Sequence, residues 1–237
     1  MTEQKFSIDA HNLSKQYPLR DGWIGQISSY KESVTNVSLQ IKKGEIFGLT
    51  GANGAGKTTL AKMLCTLIAP SSGLATIAGI RLALENGDEI RKRIGLVVTD
   101  ERSFYWRLTG RQNLTFFAAL HNRFGEKTKM HIEQLLASVN LLEHADVRFD
   151  RYSSGMKQRL AIARGILHQP EVLFLDEPSR SLDRKSKENI QLLIRKLNMQ
   201  QKMTVFIISH DQEELIQLCS RVGTMQNGRL ADITMTN

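Results

Sequence analysis

Apolar residues follow two different periods along this chain. Residues 6–13 and 34–41 carry a strand pattern, and the polar stretch 17–33 between them, which contains Gly and Pro, predicts an irregular loop. After residue 44, short apolar runs are separated by segments in which apolar residues recur every three or four positions. The runs predict strands at 46–49, 74–78, 94–98, 172–175, 205–208 and 222–225, and the segments predict helices at 60–67, 88–93, 156–168, 185–199 and 212–218. This alternation of strands and helices predicts an α/β fold.

The strand pattern disappears between residues 99 and 151. Residues 110–124 and 127–142 both have helical periodicity instead, so we expect a helical lobe inserted between strands. Near the end of the chain, Asn227-Gly228 predicts a tight turn.

Composition limits the choice of partners. The 237 residues suit one compact domain, or one domain with an inserted lobe, and the hydrophobic content of 41% is enough for a core. A formal net charge of +8 favours an acidic partner, such as a nucleotide, a nucleic acid or an anionic membrane surface. The basic residues are scattered, however, and the longest basic run is 91–93. The charge is therefore weak support for nucleic acid.

The cysteines and the apolar content predict a reduced, soluble protein. Cys65 and Cys219 are the only cysteines, and each lies in an apolar helical pattern, so we expect core residues and not a disulfide. No stretch approaches the ~18 apolar residues of a membrane span, and residues 1–5 lack a signal core. We expect the chain to serve a membrane only through a partner.

A phosphate-binding loop lies between the predicted strand 46–49 and the predicted helix 60–67. Its glycines let backbone N–H groups approach phosphate oxygens, and the helix N-terminus adds partial positive charge. Lys57 would reach the β- and γ-phosphates, and the Thr58 hydroxyl would coordinate Mg²⁺. A glycine-rich turn without a ligand is disfavoured, because the lysine and both flanking elements are present. The candidate nucleotide-binding residues are Gly51, Ala52, Asn53, Gly54, Ala55, Gly56, Lys57, Thr58 and Thr59.

Two carboxylates follow the apolar run 172–175. Asp176 would hold Mg²⁺, directly or through water, and Glu177 would orient and activate the attacking water. Acidic residues also close strands as solvated caps. The phosphate loop in the same chain favours the catalytic interpretation.

The segment 152–160 indicates which class of nucleotide hydrolase this is. Ser153 or Ser154 would cap the helix that follows, and an exposed helix N-terminus preceded by small residues can also bind a phosphate group. Ser153-Ser154-Gly155-Met156 closely resembles the signature of the ATP-binding-cassette (ABC) ATPases, and its place between phosphate loop and carboxylates is the order of that family.

The resemblance covers essentially the whole chain, and it implies a fold. That fold is a P-loop NTPase (RecA-like) core with an antiparallel β subdomain and an inserted helical lobe. It would form one ATPase domain over residues 1–237, with the core and β subdomain at 1–98 and 156–237 and the helical signature subdomain at 99–155.

The resemblance also implies further site residues. Asp183, in Ser181-Leu182-Asp183, matches the family's D-loop, and His210, after an apolar strand, matches its switch histidine. Tyr17 matches the aromatic residue that stacks on adenine, with Trp23 and Tyr30 as alternatives.

Two motifs depart from the general family pattern. The signature reads Ser153-Ser154-Gly155-Met156 where the general form has Ser-Gly-Gly-Gln, and this variant looks like that of the ABC-2 exporters of drugs, lipids and polysaccharides. The Q-loop glutamine is absent, and Asp100 or Glu101 would take its place near the metal, although a carboxylate cannot donate a hydrogen bond as an amide can. The aromatic run 104–106, where the family meets its membrane subunit, is compatible with either an interface or a core role.

These features predict the ATP-hydrolysing subunit of an ABC transporter on the cytoplasmic face of the inner membrane. Its cofactors would be ATP and Mg²⁺, and its catalytic residues Glu177, His210 and Lys57. The resemblance implies that its partners are membrane-spanning permease subunits and a second ABC subunit, identical or closely related, with ATP held between the two cassettes. We expect no nucleic acid.

Three alternatives remain at this point. A soluble ABC protein acting on nucleic acid or the ribosome is motivated by the charge of +8. A GTPase is disfavoured because no Asn-Lys-x-Asp motif occurs. A structural domain with a vestigial site is disfavoured by the intact set of Lys57, Asp176, Glu177 and His210.

Overall fold

The computed structural model describes residues 5–21, 26–98 and 103–236. Ten strands and seven α-helices are assigned within these ranges, joined by short turns and single 3₁₀ turns. The strands are β1 (Phe6–Asp21), β2 (Gln26–Lys42), β3 (Ile46–Gly51), β4 (Ser72–Ile77), β5 (Ile80–Arg81), β6 (Ile94–Val98), β7 (Val172–Asp176), β8 (Thr204–Ile208), β9 (Arg221–Gln226) and β10 (Arg229–Met235). The helices are α1 (Lys57–Leu64), α2 (Gly87–Arg93), α3 (Gly110–Leu120), α4 (Glu126–Ser138), α5 (Ser154–Ile166), α6 (Arg184–Gln201) and α7 (Gln212–Leu218).

The strands form two sheets. The larger sheet has the order β10-β9-β3-β8-β7-β6, and all its pairs are parallel except the β9–β10 hairpin. The smaller sheet has the order β2-β1-β4-β5 and is antiparallel throughout. The predicted α/β core and antiparallel subdomain are both present.

Both faces of the larger sheet are buried, which explains its continuous apolar runs. One face packs against α1 and the smaller sheet, in a core that includes Phe47, Leu60 and Phe174. The other face packs against α5, α6 and the helical lobe, in a core that includes Leu175 and Phe149. The larger sheet therefore lies between two packed layers.

The helical lobe, with α3 and α4, follows β6 as the sequence predicts. It reaches the core through α5, which crosses β6 at a contact between two glycines. A Cβ on Gly95 would stand 2.1 Å from the carbonyl oxygen of Gly165, so the two backbones touch. The boundaries of the lobe at 99 and 155 stay a prediction.

The predicted irregular loop at 17–33 is wrong for residues 17–21 and 26–33, and residues 22–25 lie outside the described residues. β1 continues to Asp21 and β2 begins at Gln26, with Tyr17 opposite Lys31 in the antiparallel register. Tyr17, Tyr30 and their neighbours are exposed, so this part of the hairpin needs no alternation of apolar and polar residues. Interstrand backbone hydrogen bonds extend the strands here, and the pattern could not reveal them.

Other boundaries differ by smaller amounts. The first helix begins at Lys57 and not at residue 60, since it starts inside the phosphate loop. β10, absent from the predicted set, forms a hairpin with β9 across the predicted Asn227-Gly228 turn, where both residues have positive φ. In the described part of the chain, no helix has the length and apolarity needed to cross a membrane.

Candidate functional site

The phosphate loop joins β3 to α1 at the C-terminal edge of the larger sheet. Two of its glycines have positive φ and touch neighbouring backbone. A Cβ on Gly51 would be 2.2 Å from the carbonyl oxygen of Met225, and one on Gly56 would be 2.3 Å from that of Ser33. Lys57 Nζ lies over the loop and donates hydrogen bonds to the carbonyl oxygens of Gly51 (2.7 Å) and Ala52 (3.0 Å). Backbone packing therefore fixes the loop and its lysine.

The loop opens into a cleft of about 530 Å³, here called the phosphate cleft. The last residues of β6, β7 and β8 also line it, as expected where parallel strands end beside a helix N-terminus. Its lining residues are Lys31, Glu32, Ser33, Asn53, Gly54, Ala55, Gly56, Lys57, Thr58, Thr59, Val98, Asp176, Glu177, Arg180 and Ile208. The structure thus places the predicted phosphate loop and both predicted carboxylates around one space.

Asp176 is a half-buried carboxylate at the end of β7. Burial raises the pKa of its carboxyl above the usual range, and the neighbouring charge of Glu177 raises it further, while the cations of Lys57, Lys62 and Arg180 lower it. A cation in the cleft would favour the ionised form of such a group.

The donor set fits Mg²⁺. Within the described ranges, no group of three His, Cys, Asp or Glu side chains could hold a metal ion. Mg²⁺ needs no such group, because it is usually bound through one or two carboxylates together with substrate phosphates and water. Asp176 and the Thr58 hydroxyl supply oxygen ligands of this kind beside the phosphate loop.

Glu177 and His210 are brought together from the ends of neighbouring strands. His210 Nδ1 and Glu177 Oε2 are 2.7 Å apart, so the imidazole N–H donates to the carboxylate. The backbone of Glu177 has φ of 54° and is fixed by a hydrogen bond from its N–H to the carbonyl oxygen of Ile208 (2.9 Å). This geometry presents the carboxylate to the phosphate cleft.

A buried hydrogen-bond chain supports the turn that carries His210. Ser209 Oγ donates to Glu214 Oε2 (2.7 Å) and accepts from the N–H of Asp211 (3.1 Å). Asp211 caps α7 by accepting from the N–H of Glu214, and its other oxygen pairs with Lys187 Nζ at 3.1 Å. The position of His210 is therefore set by α6 and α7 as well as by β8.

The signature residues lie at the start of α5. Ser153 is its N-cap and accepts from the N–H of Met156 (3.3 Å), and Ser153 and Ser154 are exposed. Gly155 packs against Ser186, whose Oγ would be 2.9 Å from an added Cβ. In the described chain, none of the residues 153–156 lines the phosphate cleft.

Asp183 lies beside the signature and not in the phosphate cleft. It caps α6 by accepting from the N–H of Ser186 (3.0 Å) and from Ser186 Oγ (2.7 Å). These hydrogen bonds lower the pKa of Asp183. Gly155 and Asp183 thus meet at the same serine, as a group apart from the phosphate loop.

The adenine-stacking prediction has less structural support. Tyr17 is 38% exposed, and Lys15 Nζ lies 5.4 Å from its ring centroid. Among the described residues, Tyr17 does not line the phosphate cleft, whereas Lys31, its partner on β2, does. Trp23, Asp100 and Glu101 lie outside the described residues.

The aromatic run divides between the two roles considered for it. Phe104 is buried and stacks on Phe149 with ring centroids 4.6 Å apart. Tyr105 and Trp106 are about half exposed, and Tyr105 meets Phe116 edge to face.

Sequence reasoning missed four polar residues that line the phosphate cleft, namely Lys31, Glu32, Ser33 and Arg180, and the apolar Val98 and Ile208. Ser33 Oγ donates to Thr59 Oγ1 (2.9 Å), and its carbonyl faces Gly56, so β2 supports the loop directly. No local pattern marks the three residues on β2, which reach the cleft only through pairing of the sheets. Arg180 has one signal, its place three residues after Glu177.

Comparison with known proteins identifies the class. The family profile described as ABC transporter matches residues 34–180. The chain belongs to this family and is its ATP-binding, ATP-hydrolysing component. The predicted family, fold class and enzymatic activity are thereby confirmed, and the nucleic-acid and GTPase alternatives are disfavoured.

Two bacterial relatives have names that describe a function in transport. The chain is 35% identical over 199 residues to the ABC transporter ATP-binding protein NatA of Bacillus subtilis, covering 84% of this chain and 80% of NatA. It is 40% identical over 202 residues to the bacitracin transport ATP-binding protein BcrA of Bacillus licheniformis, covering 85% of this chain and 64% of BcrA.

Solved structures match over nearly the whole chain. The ATP-binding cassette MJ0796, described as a dimer bound to ADP and Pi after hydrolysis, is 25% identical with a TM-score of 0.83, covering 97% of this chain and 99% of MJ0796. CbiO1 of Clostridium perfringens, part of the cbiONQ transporter complex, has a TM-score of 0.86 at 23% identity, and the match covers 98% of this chain and 90% of the CbiO1 chain. At this identity it supports the fold alone.

Proposed function

We propose that this chain is the nucleotide-binding subunit of an ABC-2 type exporter and works as a head-to-tail pair of cassettes. One observation carries the proposal. The phosphate cleft holds the loop, Asp176 and Glu177, whereas the signature Ser153–Met156 lies outside that cleft with exposed serines. A second cassette would supply its signature to the open side of the cleft. The dimeric MJ0796 cassette and the transport role in the printed name of BcrA support this arrangement.

The residues of the phosphate cleft would bind the triphosphate. The backbone N–H groups of residues 51–59 and the ammonium group of Lys57 would hold the β- and γ-phosphates, exchanging the two carbonyl contacts of Lys57 for phosphate oxygens. Thr58 and Asp176 would hold Mg²⁺, which neutralises developing charge on the phosphates. Asp100 stays a candidate for the same role.

Glu177 would act as general base. A water in line with the γ-phosphorus would lose its proton to the Glu177 carboxylate while its oxygen bonds to phosphorus and the β–γ bridging bond breaks, leaving ADP and phosphate. His210 donates to that carboxylate and orients it. From the second chain, Ser153, Ser154, Gly155 and Met156 would contact the γ-phosphate, with Asp183 beside them.

The pair would drive a membrane-spanning permease from the cytoplasmic face of the inner membrane. The exposed rings of Tyr105 and Trp106, next to Phe116 on α3, form an apolar surface suited to such a partner. The exporter assignment rests on the signature variant, and the printed name of BcrA supports a role in transport.

A complementation experiment tests the shared site. Lys57→Ala removes the loop cation, and Gly155→Asp places a charge at the signature; each variant alone should lose ATP hydrolysis. In a head-to-tail pair, a mixture of both variants forms one intact site, from the loop of the Gly155→Asp chain and the signature of the Lys57→Ala chain. Hydrolysis should therefore return on mixing. No recovery, with both variants folded and heterodimers present, would show that the signature does not act across the pair.

A further inference from the structure

Arg180 is a cation of the phosphate cleft that the proposed reaction has not used. It lines the cleft together with Lys57, Thr58 and Glu177. Its positive charge acts on the carboxylate of Asp176, at the end of β7. Its guanidinium has no hydrogen bond, ion pair or ring contact within the described ranges of the chain, whereas Lys57 is bonded to two carbonyl oxygens.

The backbone around Arg180 holds it at this place. Glu177 and Ser181 both have positive φ, of 54° and 61°, so the chain turns sharply on either side of Arg180. The N–H of Arg180 donates to the carbonyl oxygen of Glu177 (3.1 Å), and the N–H of Leu182 donates to that of the buried Ser179 (3.3 Å). Two left-handed residues close together are costly, which indicates that the surrounding structure determines this turn.

The position of Arg180 favours the terminal phosphate over the other two. The phosphate loop and Lys57 line the cleft, and so do Asp176, the last residue of β7, and Glu177 and Arg180 just after it. Glu177 would act on water at the γ-phosphate, and Arg180 follows it on the same turn, so we expect the exposed Arg180 side chain to reach that end of the triphosphate. A guanidinium binds phosphate oxygens through paired hydrogen bonds.

Arg184 shows what an arginine outside the cleft does in the same region. Its side chain is 94% exposed and pairs with Glu188 one turn along α6 at 3.1 Å. It does not line the phosphate cleft among the described residues. The two arginines therefore provide a matched comparison of charge with and without access to the nucleotide.

We propose that Arg180 donates hydrogen bonds to the γ-phosphate of ATP bound by its own chain, as a further substrate-binding residue. This inference rests on the proposed function, since it assumes a triphosphate in the phosphate cleft. ADP lacks the phosphate concerned. Loss of Arg180 should therefore weaken triphosphate binding and leave diphosphate binding unchanged.

The test compares two nucleotides on four proteins. The affinities of the hydrolysis-resistant analogue AMPPNP with Mg²⁺, and of ADP with Mg²⁺, are measured by calorimetry at protein concentrations where the chain is monomeric. The proteins are the wild type, Arg180→Ala, Arg180→Lys and Arg184→Ala. We expect Arg180→Ala to weaken AMPPNP binding about tenfold or more, the size of a charged hydrogen bond. Arg180→Lys should recover part of this loss, and Arg184→Ala should match the wild type.

Three outcomes would overturn the inference. The first is equal weakening of AMPPNP and ADP by Arg180→Ala, which indicates a general electrostatic effect. The second is unchanged affinity for both. The third is unchanged monomer affinity with loss of the ATP-bound dimer, which would place Arg180 against the second chain. Thermal denaturation confirms that the variant is folded.

Failure of the proposed function is separable from these outcomes. If the wild type binds no AMPPNP, or Lys57→Ala binds it normally, the phosphate cleft itself is misassigned. If the wild type binds and hydrolyses ATP while Arg180→Ala behaves identically, only the role of Arg180 is refuted.

Discussion

Glu177→Gln is the substitution that most directly tests the chemistry of the cleft. Gln has nearly the same size as Glu, and its amide oxygen can still accept the hydrogen bond from His210, which is 2.7 Å from the carboxylate. The backbone φ of 54° is unchanged by the substitution, so the fold and the phosphate loop should stay intact. What the amide cannot do is take a proton from water.

The size of the effect separates two roles for Glu177. If it only held His210, weakening one hydrogen bond would cost about 0.5–1.5 kcal/mol, or roughly two- to twelvefold in rate. If it is the general base, the loss should be about 10²–10⁴-fold, or about 2.7–5.4 kcal/mol of transition-state stabilisation. We expect the second range.

The assay is steady-state phosphate release with saturating Mg²⁺ and ATP, accompanied by a titration of nucleotide affinity. Glu177→Gln should keep the affinity of the wild type. Glu213→Gln is the matched control, because Glu213 is an exposed glutamate in the first turn of α7. A Glu177→Gln rate within about tenfold of the wild type would contradict a role as general base.

Three further predictions concern the core and the lobe. Gly95→Ala should cost about 1–3 kcal/mol or more of unfolding free energy, since its Cβ would stand 2.1 Å from the Gly165 oxygen; an unchanged urea midpoint would contradict the contact. Burial raises the pKa of Cys65, and that of Cys219 to about 12, so native protein at about pH 8 should resist iodoacetamide and urea-unfolded protein should react, and rapid native labelling would refute this. Burial lowers the pKa of His168 below 6.5, so the unfolded chain binds more protons and stability is lost as pH falls through that value. His168→Gln should show a smaller drop in melting temperature between about pH 7.5 and pH 5.5, and an equal drop would refute this.

The sequence by itself determined the parts of the site that are contiguous in the chain. The phosphate loop, the strand 172–175 and its two carboxylates need only neighbouring residues to be recognised, because each motif combines a buried strand with the groups at its end. The apolar runs of the larger sheet were predictable for the same reason, since a strand buried on both faces is apolar throughout.

Only the tertiary structure decided which residues meet. Backbone hydrogen bonds join residues 17–21 to residues 26–31, and Tyr17 and Tyr30 there are exposed; such bonds leave no mark on the order of side chains. The contact of His210 with Glu177 joins positions 33 residues apart, and Ser33 reaches the phosphate loop from a different sheet. Such contacts depend on how strands are ordered in a sheet, a property of the whole packed core that no local pattern contains.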